Sequence, residues 1–221
     1  MIFKGYIFDI DGTITATNKL IFATFNHVAD KYLNKFLTDS EIISLFGPTE
    51  DIILKDWMGH NFEQARKDYY KFYDLNHEKM ASAYPGIIDI ILEIKNCGLP
   101  LGIYTGKGRT STEITLKKIG IFSYFDLIIS GDDVKNHKPS PEGINKFIEK
   151  FNLLPENILM IGDAPADIIA AKTAGAKVAS VLWDSYAIDT IKRLKADFYF
   201  ETVNELHKFI RRQLRKVKNK L

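Results

Sequence analysis

Short apolar runs alternate with amphipathic stretches along most of the chain. The runs are rich in β-branched and aromatic residues, which is typical of buried strands. They are FKGYIFDI (3–10), LPLGIYT (99–105), DLIIS (126–130), NILMIG (157–162), KVASVLW (177–183) and, as a short edge strand, DFYF (197–200). Helical patterns lie between them, at 86–98, 110–120, 141–151 and 166–175. Strands that alternate with helices predict an α/β protein with a parallel sheet.

From Thr15 to Tyr84 the strand pattern disappears, and apolar residues recur at helical spacing instead. Stretches such as LIFATFNHVADKYL and FEQARKDYYKFYDL show this spacing. A Pro-Gly pair closes the segment, and the alternation of strands and helices then resumes. The sequence therefore predicts a Rossmann-like parallel-sheet core, made of residues 1–14 and 85–221, with a helical domain of residues 15–84 inserted after the first strand.

The composition is that of an ordinary globular protein, with 46% hydrophobic and 26% charged residues. No apolar run approaches the ~20 residues that span a bilayer, and the N-terminus lacks the layout of a signal peptide. The single cysteine, Cys97, excludes an intramolecular disulfide and fits a reducing compartment. We therefore expect a cytoplasmic protein that does not bind membranes.

The net charge of +2 hides an uneven distribution. Seven of the 30 lysines and arginines lie in the last fifteen residues, so the rest of the chain is acidic overall. Apolar residues in and next to this tail recur at helical spacing, which predicts a helix with one packed face and one basic, solvated face. They are Leu206, Phe209, Ile210, Leu214 and Val217. A basic tail can bind nucleic acid, but the acidic body argues against it, and we expect no nucleic-acid partner.

Polar residues collect directly after the predicted strands. In an open parallel sheet the carboxyl ends of the strands meet at one edge, where ligands bind. We therefore expect the polar residues to converge there. They are Asp9, Asp11 and Thr13 after the first strand, Thr105, Gly106 and Lys107 after the second, Lys138 in the segment after the third, and Asp163 and Asp167 after the fourth.

Carboxylates this close together need a compensating cation, and Lys138 alone does not balance four acids. An oxygen-rich set suits Mg²⁺, which proteins hold with few carboxylates together with water and substrate phosphate. The lysine, the Thr105 hydroxyl and the backbone N–H groups around Gly106 suit an oxyanion such as a phosphoryl group. One carboxylate can attack phosphorus, and a second can exchange protons with the leaving oxygen and with water.

Four motifs resemble, in order and spacing, those of the haloacid dehalogenase superfamily of phosphotransferases. They are FDIDGT (8–13), YTGK (104–107), KPSPEG (138–143) and GDAPAD (162–167). Taken singly, each has a structural explanation, such as a strand-end turn or an acid in the first turn of a helix. Four of them at four predicted strand ends favour the chemical explanation. The helical insert resembles the family's C1-type cap, which closes over the active site.

The resemblance implies a role for each candidate residue. Asp9 resembles the nucleophile, Asp11 the general acid/base, Thr105 and Gly106 the phosphoryl-binding segment, and Lys138 the lysine that neutralises phosphate and nucleophile. The Mg²⁺ ligands would be the carboxylates of Asp9 and Asp163 and the backbone carbonyl of Asp11. Thr13 and Asp167 would lie behind these ligands, with Asp167 in contact with Lys138 or a metal-bound water.

Within the family, the aspartate at position 11 argues for hydrolysis, because members that preserve the phosphorylated aspartate usually carry threonine there. FGPTED (46–51) resembles the cap segment of phosphoglycolate phosphatases and related bacterial pyrophosphatases. The resemblance thus implies a Mg²⁺-dependent phosphatase that hydrolyses a small phosphorylated metabolite, similar to phosphoglycolate, through an aspartyl-phosphate. Inorganic pyrophosphatase and sugar-phosphate mutase activities stay open, and a non-catalytic binding protein is the alternative from another class. We expect a monomer or a homodimer.

The chain departs from the family's pattern at three places. Ala16 precedes Thr17 where an acid is common, and Gly106 stands where asparagine or serine is commoner. No arginine in the predicted cap marks a site for a substrate carboxylate. The cations available there are Lys19, Lys31, Lys55 and Arg66.

Overall fold

A computed structural model describes residues 2–218 of the chain. The strands in this range are β1 (Gly5–Phe8), β2 (Thr15–Ala16), β3 (Ser82–Ala83), β4 (Leu101–Tyr104), β5 (Leu127–Ile129), β6 (Ile158–Gly162), β7 (Lys177–Val181) and β8 (Phe198–Phe200). Six of them form a parallel sheet in the order β5-β4-β1-β6-β7-β8, and β2 and β3 form a short antiparallel ribbon. The predicted α/β fold with a parallel sheet is confirmed.

The α-helices in the same range follow the predicted alternation. They are α1 (Asn18–Leu33), α2 (Asp39–Ile43), α3 (Glu50–Met58), α4 (Phe62–Met80), α5 (Ile87–Asn96), α6 (Arg109–Lys118), α7 (Glu142–Phe151), α8 (Pro165–Thr173), α9 (Ile188–Leu194) and α10 (Val203–Lys218). In this part of the chain, no helix has the length and apolar character needed to cross a membrane.

The central strand β1 buries both of its faces. Tyr6 and Phe8 point into a cluster that α5 and α10 complete, whereas Ile7 points to the other side, toward α7, α8 and α9. This alternation is the expected period of two along a strand. Tyr6 pairs with Leu101 of β4 on one side and with Leu159 of β6 on the other. The residues directly after β1 therefore emerge in the middle of the sheet's carboxyl edge.

The helical insert, α1 to α4, has a hydrophobic core of its own. Leu20, Phe25, Leu54, Tyr69 and Tyr73 are buried in it, apart from the two clusters that cover the sheet. The ribbon of β2 and β3 lies where the insert leaves and rejoins the sheet domain. The helical character of the insert is as predicted, and its exact division from the core at residues 15–84 stays a prediction.

The ribbon of β2 and β3 was not predicted from the sequence. Thr15 pairs with Ala83, and the Tyr84 N–H donates to the Ile14 carbonyl at 3.0 Å. Strands of two residues are too short to show an alternation of apolar and polar positions. The expectation that residues 15–84 contain no strand was therefore wrong at both ends of the segment.

The C-terminal helix α10 packs on the sheet as predicted. Leu206, Ile210 and Leu214 are buried, and the Arg211 guanidinium lies 2.6 Å from a carboxylate oxygen of Glu93 on α5. The amphipathic pattern of this helix thus serves packing, with basic side chains on the outer face. The last predicted residues of this helix, 219–221, lie outside the described residues.

Candidate active site

The ends of neighbouring strands bring the candidate residues together. Asp9 comes directly after β1, and its N–H donates to the Ile161 carbonyl of β6 at 2.9 Å; Thr105 comes directly after β4, and its N–H donates to the Ile129 carbonyl of β5 at 3.0 Å. Of the nine residues expected at this edge of the sheet, seven line one cavity of about 500 Å³, namely Asp9, Asp11, Thr105, Gly106, Lys107, Lys138 and Asp163. The other two, Thr13 and Asp167, are fully buried beside it.

Lys138 connects two of the aspartates. Its Nζ lies 3.0 Å from Oδ1 of Asp9 and donates a hydrogen bond of 2.6 Å to Oδ1 of Asp167. The other oxygen of Asp167 accepts from the Ala164 N–H at 3.0 Å, at the start of α8. Both Asp167 oxygens are therefore engaged, and this residue holds the lysine beside Asp9.

Asp163 is held from the turn after β1. The Thr13 hydroxyl donates to Oδ1 of Asp163 at 2.9 Å, and the Ser185 hydroxyl donates to its backbone carbonyl at 2.6 Å. Gly12 has a φ of +74°, and a Cβ atom there would lie 2.3 Å from Oδ2 of Asp163. Only glycine combines that backbone conformation with so close an approach. Gly12 thus lets the turn bring Thr13 against Asp163.

The carboxylates carry more negative charge than Lys138 neutralises. Oxygens of Asp9, Asp163 and Asp167 lie within 4.8 Å of one another. Burial raises the pKa of Asp9 to about 6, although Lys138 acts in the opposite direction. Burial, followed by the charges of Asp9 and Asp167, raises the pKa of Asp163 well above its usual value. For both carboxylates, the cost of burying the charged form therefore exceeds what Lys138 offsets.

A hard divalent cation fits this set of donors. Oδ1 of Asp9 is buried, and no described residue donates a well-aligned hydrogen bond to it. Since Asp167 is saturated by Lys138 and Ala164, the carboxylates with coordination capacity left are those of Asp9 and Asp163. These two could hold a metal ion such as Mg²⁺.

A second buried network surrounds Asp11. Its carboxylate accepts a hydrogen bond from the Thr17 hydroxyl and lies 3.1 Å from Nζ of Lys107. That nitrogen is also 3.6 Å from a carboxylate oxygen of Glu50. Burial disfavours the charge of Lys107, but the neighbouring Asp11, Tyr73 and Glu50 outweigh it and hold the pKa of the lysine above its usual value. The cavity therefore has a second buried cation, which the sequence reasoning left without a role.

Glu50 connects the helical insert to the sheet domain. Its oxygens accept hydrogen bonds of 2.6 Å from the N–H of Gly108, which directly precedes α6, and from the hydroxyl of Ser111 in the first turn of α6. The positive end of a helix dipole favours a carboxylate at this position. A Cβ atom on Gly108 would lie 2.6 Å from Glu50. Glu50 belongs to FGPTED, but the burial of a single acid cannot be predicted from such a segment, and its role was not predicted from the sequence.

The cations considered in the insert do not face the cavity. Lys31 pairs with Asp68, and the Arg66 guanidinium lies 2.7 Å from Asp51. Lys19 and Lys55 are exposed and also lie outside the cavity lining. Among the described lining residues, the positive charges are those of Lys107 and Lys138.

The parallel sheet, the inserted helices and the acids at the strand ends define a class of hydrolases. Residues 6–181 match the family model described as haloacid dehalogenase-like hydrolase. The chain therefore belongs to this family and is an enzyme of the hydrolase class, as the four motifs predicted.

Individual relatives share most of the chain's length. Pyrophosphatase PpaX of Bacillus velezensis is 31% identical over 90% of this chain and 93% of its own. A crystal structure described as a predicted phosphoglycolate phosphatase of Haemophilus somnus 129PT superposes with a TM-score of 0.83 at 23% identity, covering 94% of this chain and 97% of its own. CbbY of Rhodobacter sphaeroides, solved in complex with phosphate, superposes with a TM-score of 0.78 at 21% identity, covering 91% of this chain and 95% of its own. The two structures share the fold with this chain.

Proposed function

We propose that the chain is a Mg²⁺-dependent phosphatase that hydrolyses a small phosphomonoester through a phosphoryl group carried on Asp9. One observation supports this above all. The carboxylate of Asp9 lies buried at the end of the central strand, 3.0 Å from Lys138, and faces the cavity that Thr105 and Asp163 also line. A carboxylate in such surroundings can act as a nucleophile toward a phosphoryl group.

The reaction then has two steps. In the first, an oxygen of Asp9 bonds to phosphorus, the bond to the leaving oxygen breaks, and Asp11 gives that oxygen a proton. In the second, Asp11 takes a proton from water, and this water attacks phosphorus. The bond between phosphorus and Asp9 breaks, phosphate leaves, and both carboxyl groups return to their starting states.

Other residues support these two. Lys138, the Thr105 hydroxyl and the backbone N–H groups around Gly106 stabilise the negative charge on the phosphoryl oxygens. Mg²⁺, held by Asp9 and Asp163 with the Asp11 carbonyl, would neutralise phosphate charge when bound. Thr17 and Lys107 hold the Asp11 side chain.

The name of the Bacillus velezensis relative favours a second candidate, inorganic pyrophosphatase. In that reaction the leaving group is phosphate, which brings a second negatively charged group into the cavity. Phosphoglycolate, which the resemblance and one structural neighbour suggest, brings a carboxylate to the same place. These two candidates share the proposed chemistry and differ only in the leaving group.

The test is an assay of phosphate release from p-nitrophenyl phosphate, pyrophosphate and phosphoglycolate. We expect turnover with Mg²⁺, loss of turnover with a chelator, and recovery when Mg²⁺ is added back. Failure to hydrolyse any phosphomonoester with Mg²⁺ would contradict the proposal. Interconversion of sugar phosphates without net phosphate release, dependent on a sugar bisphosphate, would identify a mutase instead.

A further inference from the structure

The side of the cavity opposite the aspartates is formed by the helical insert. Six of its residues, here called the apolar wall, line the cavity: Ile21, Phe25, Ile43, Phe46, Pro48 and Ile53. Ile21, Phe25 and Ile53 are buried, whereas Phe46 is 44% exposed. Because this wall and Asp9 line the same cavity, a phosphomonoester with its phosphoryl group at Asp9 can reach the wall with its leaving group.

The two lysines that line the cavity are already paired with carboxylates. Lys138 is engaged by Asp9 and Asp167, and Lys107 is engaged by Asp11 and Glu50. The cations considered in the insert lie outside the lining. Among the described lining residues, the apolar wall contributes no cation, and each of the two lysines already has two carboxylate partners.

The polar groups next to the wall also argue against an anion. Glu50 also lines the cavity, and its carboxylate is already engaged by Lys107, Gly108 and Ser111. The Asn18 amide nitrogen donates to a carboxylate oxygen of Asp184 at 3.3 Å. A carboxylate or a second phosphate placed here would lose its water without gaining a cation, which is costly. Apolar surface, in contrast, gains from leaving water.

We propose that the leaving group is uncharged and apolar, so that the substrate is the phosphomonoester of an aliphatic or aromatic alcohol. The inference rests on the proposed function, because it assumes that phosphoryl transfer occurs at Asp9. A cavity of about 500 Å³ has room for a leaving group larger than glycolate. The pocket thus favours substrates that differ from both phosphoglycolate and pyrophosphate.

A series of unbranched alkyl phosphates tests this directly. From methyl to hexyl phosphate the leaving oxygen stays a primary or methyl alkoxide, so the chemistry changes little while the apolar surface grows. Burial of each methylene against the wall is expected to raise kcat/KM about three- to fourfold, until the cavity is filled. Phosphoglycolate and pyrophosphate, assayed in parallel with Mg²⁺, are expected to fall below hexyl phosphate.

Two matched substitutions locate the effect. Phe46→Lys places a cation in the wall and is expected to lower kcat/KM for hexyl phosphate by about tenfold and to raise it for phosphoglycolate. Phe36→Lys is the control, because Phe36 is 82% exposed in the same insert and does not line the cavity. It is expected to leave both values unchanged.

The outcomes separate this inference from the proposed function. The apolar leaving group would be wrong if kcat/KM stayed constant or fell from methyl to hexyl phosphate, or if phosphoglycolate or pyrophosphate were preferred. Turnover of p-nitrophenyl phosphate would in that case still support the proposed phosphatase. Absence of turnover with every ester would overturn the phosphatase, and the inference with it. The wild-type series decides the matter even if the Phe46 variant does not fold.

Discussion

The two sides of the cavity are built on opposite principles. On the sheet side, Asp9, Asp163 and Lys138 are held by charge and by directed hydrogen bonds such as that from Thr13 to Asp163. On the insert side, the apolar wall meets the substrate with hydrocarbon. Under the two proposals, the chemistry and the choice of substrate reside in different parts of the chain. Substitutions of the catalytic groups on the sheet side should change kcat/KM for all esters by the same factor. Substitutions in the apolar wall should change kcat/KM for some esters more than for others.

The largest expected effect comes from Asp9→Asn. Loss of the nucleophile is expected to lower kcat/KM by about 10⁴-fold or more, and by the same factor for methyl and hexyl phosphate. Steady-state kinetics on both esters measure the effect, and thermal unfolding checks that the variant is folded. If kcat/KM fell by very different factors for the two esters, Asp9 would take part in substrate choice. The proposed division between the sheet side and the insert side would then be wrong.

The next effect concerns Lys107, which lies between Asp11 on the sheet side and Glu50 from the insert. Lys107→Met leaves the buried Glu50 and the half-buried Asp11 without this partner and is expected to lower the free energy of unfolding by about 3 kcal/mol. Lys117→Met is the control, since Lys117 is 58% exposed and pairs with Glu113 on the surface of α6. Lys117→Met is expected to lower the free energy of unfolding by less than ~1 kcal/mol. Urea unfolding of both variants gives the two values, and equal losses would contradict the buried network.

The smallest effect is expected from substitutions of two glycines on the sheet side of the cavity. Gly12→Ala puts a side chain at a positive φ and against Asp163, and we expect it to lower the free energy of unfolding by about 2 kcal/mol. Gly106 has no such φ, and a Cβ atom there would meet nothing within 4 Å. Gly106→Ala is therefore expected to change stability by less than ~1 kcal/mol. Urea unfolding again gives both values, and a tolerated Gly12→Ala would show that the turn can relax away from Asp163.

The sheet side could be predicted well from the sequence. Buried strands are visible as short apolar runs, and parallel strands bring the residues after their carboxyl ends to one edge of the sheet. Asp9, Thr105 and Asp163 were placed at this edge by that rule alone, and the cavity is lined by all three. The rule works because it depends on the order of strands and not on the packing of individual side chains.

The insert side could not be predicted in the same way. Which face of α1 meets the cavity depends on how it packs against the other helices, so the roles of Ile21 and Phe25 were invisible in their spacing. The burial of Glu50 depends on the same packing and could not be predicted from its neighbours in the sequence. Lys107 stood next to the predicted phosphoryl-binding segment, but its partners come from the turn after β1 and from α3, far away in sequence.

One measurement tests the central claim, a phosphoryl group on Asp9, most directly. In Asp11→Asn the first step with p-nitrophenyl phosphate proceeds, because its leaving group needs no proton, while the second step lacks its base. Acid quenching and peptide mass spectrometry should find one phosphoryl group on the peptide that contains Asp9, and none in the Asp9→Asn/Asp11→Asn double variant. Turnover without a modified Asp9, or a phosphoryl group on another residue, would contradict the account.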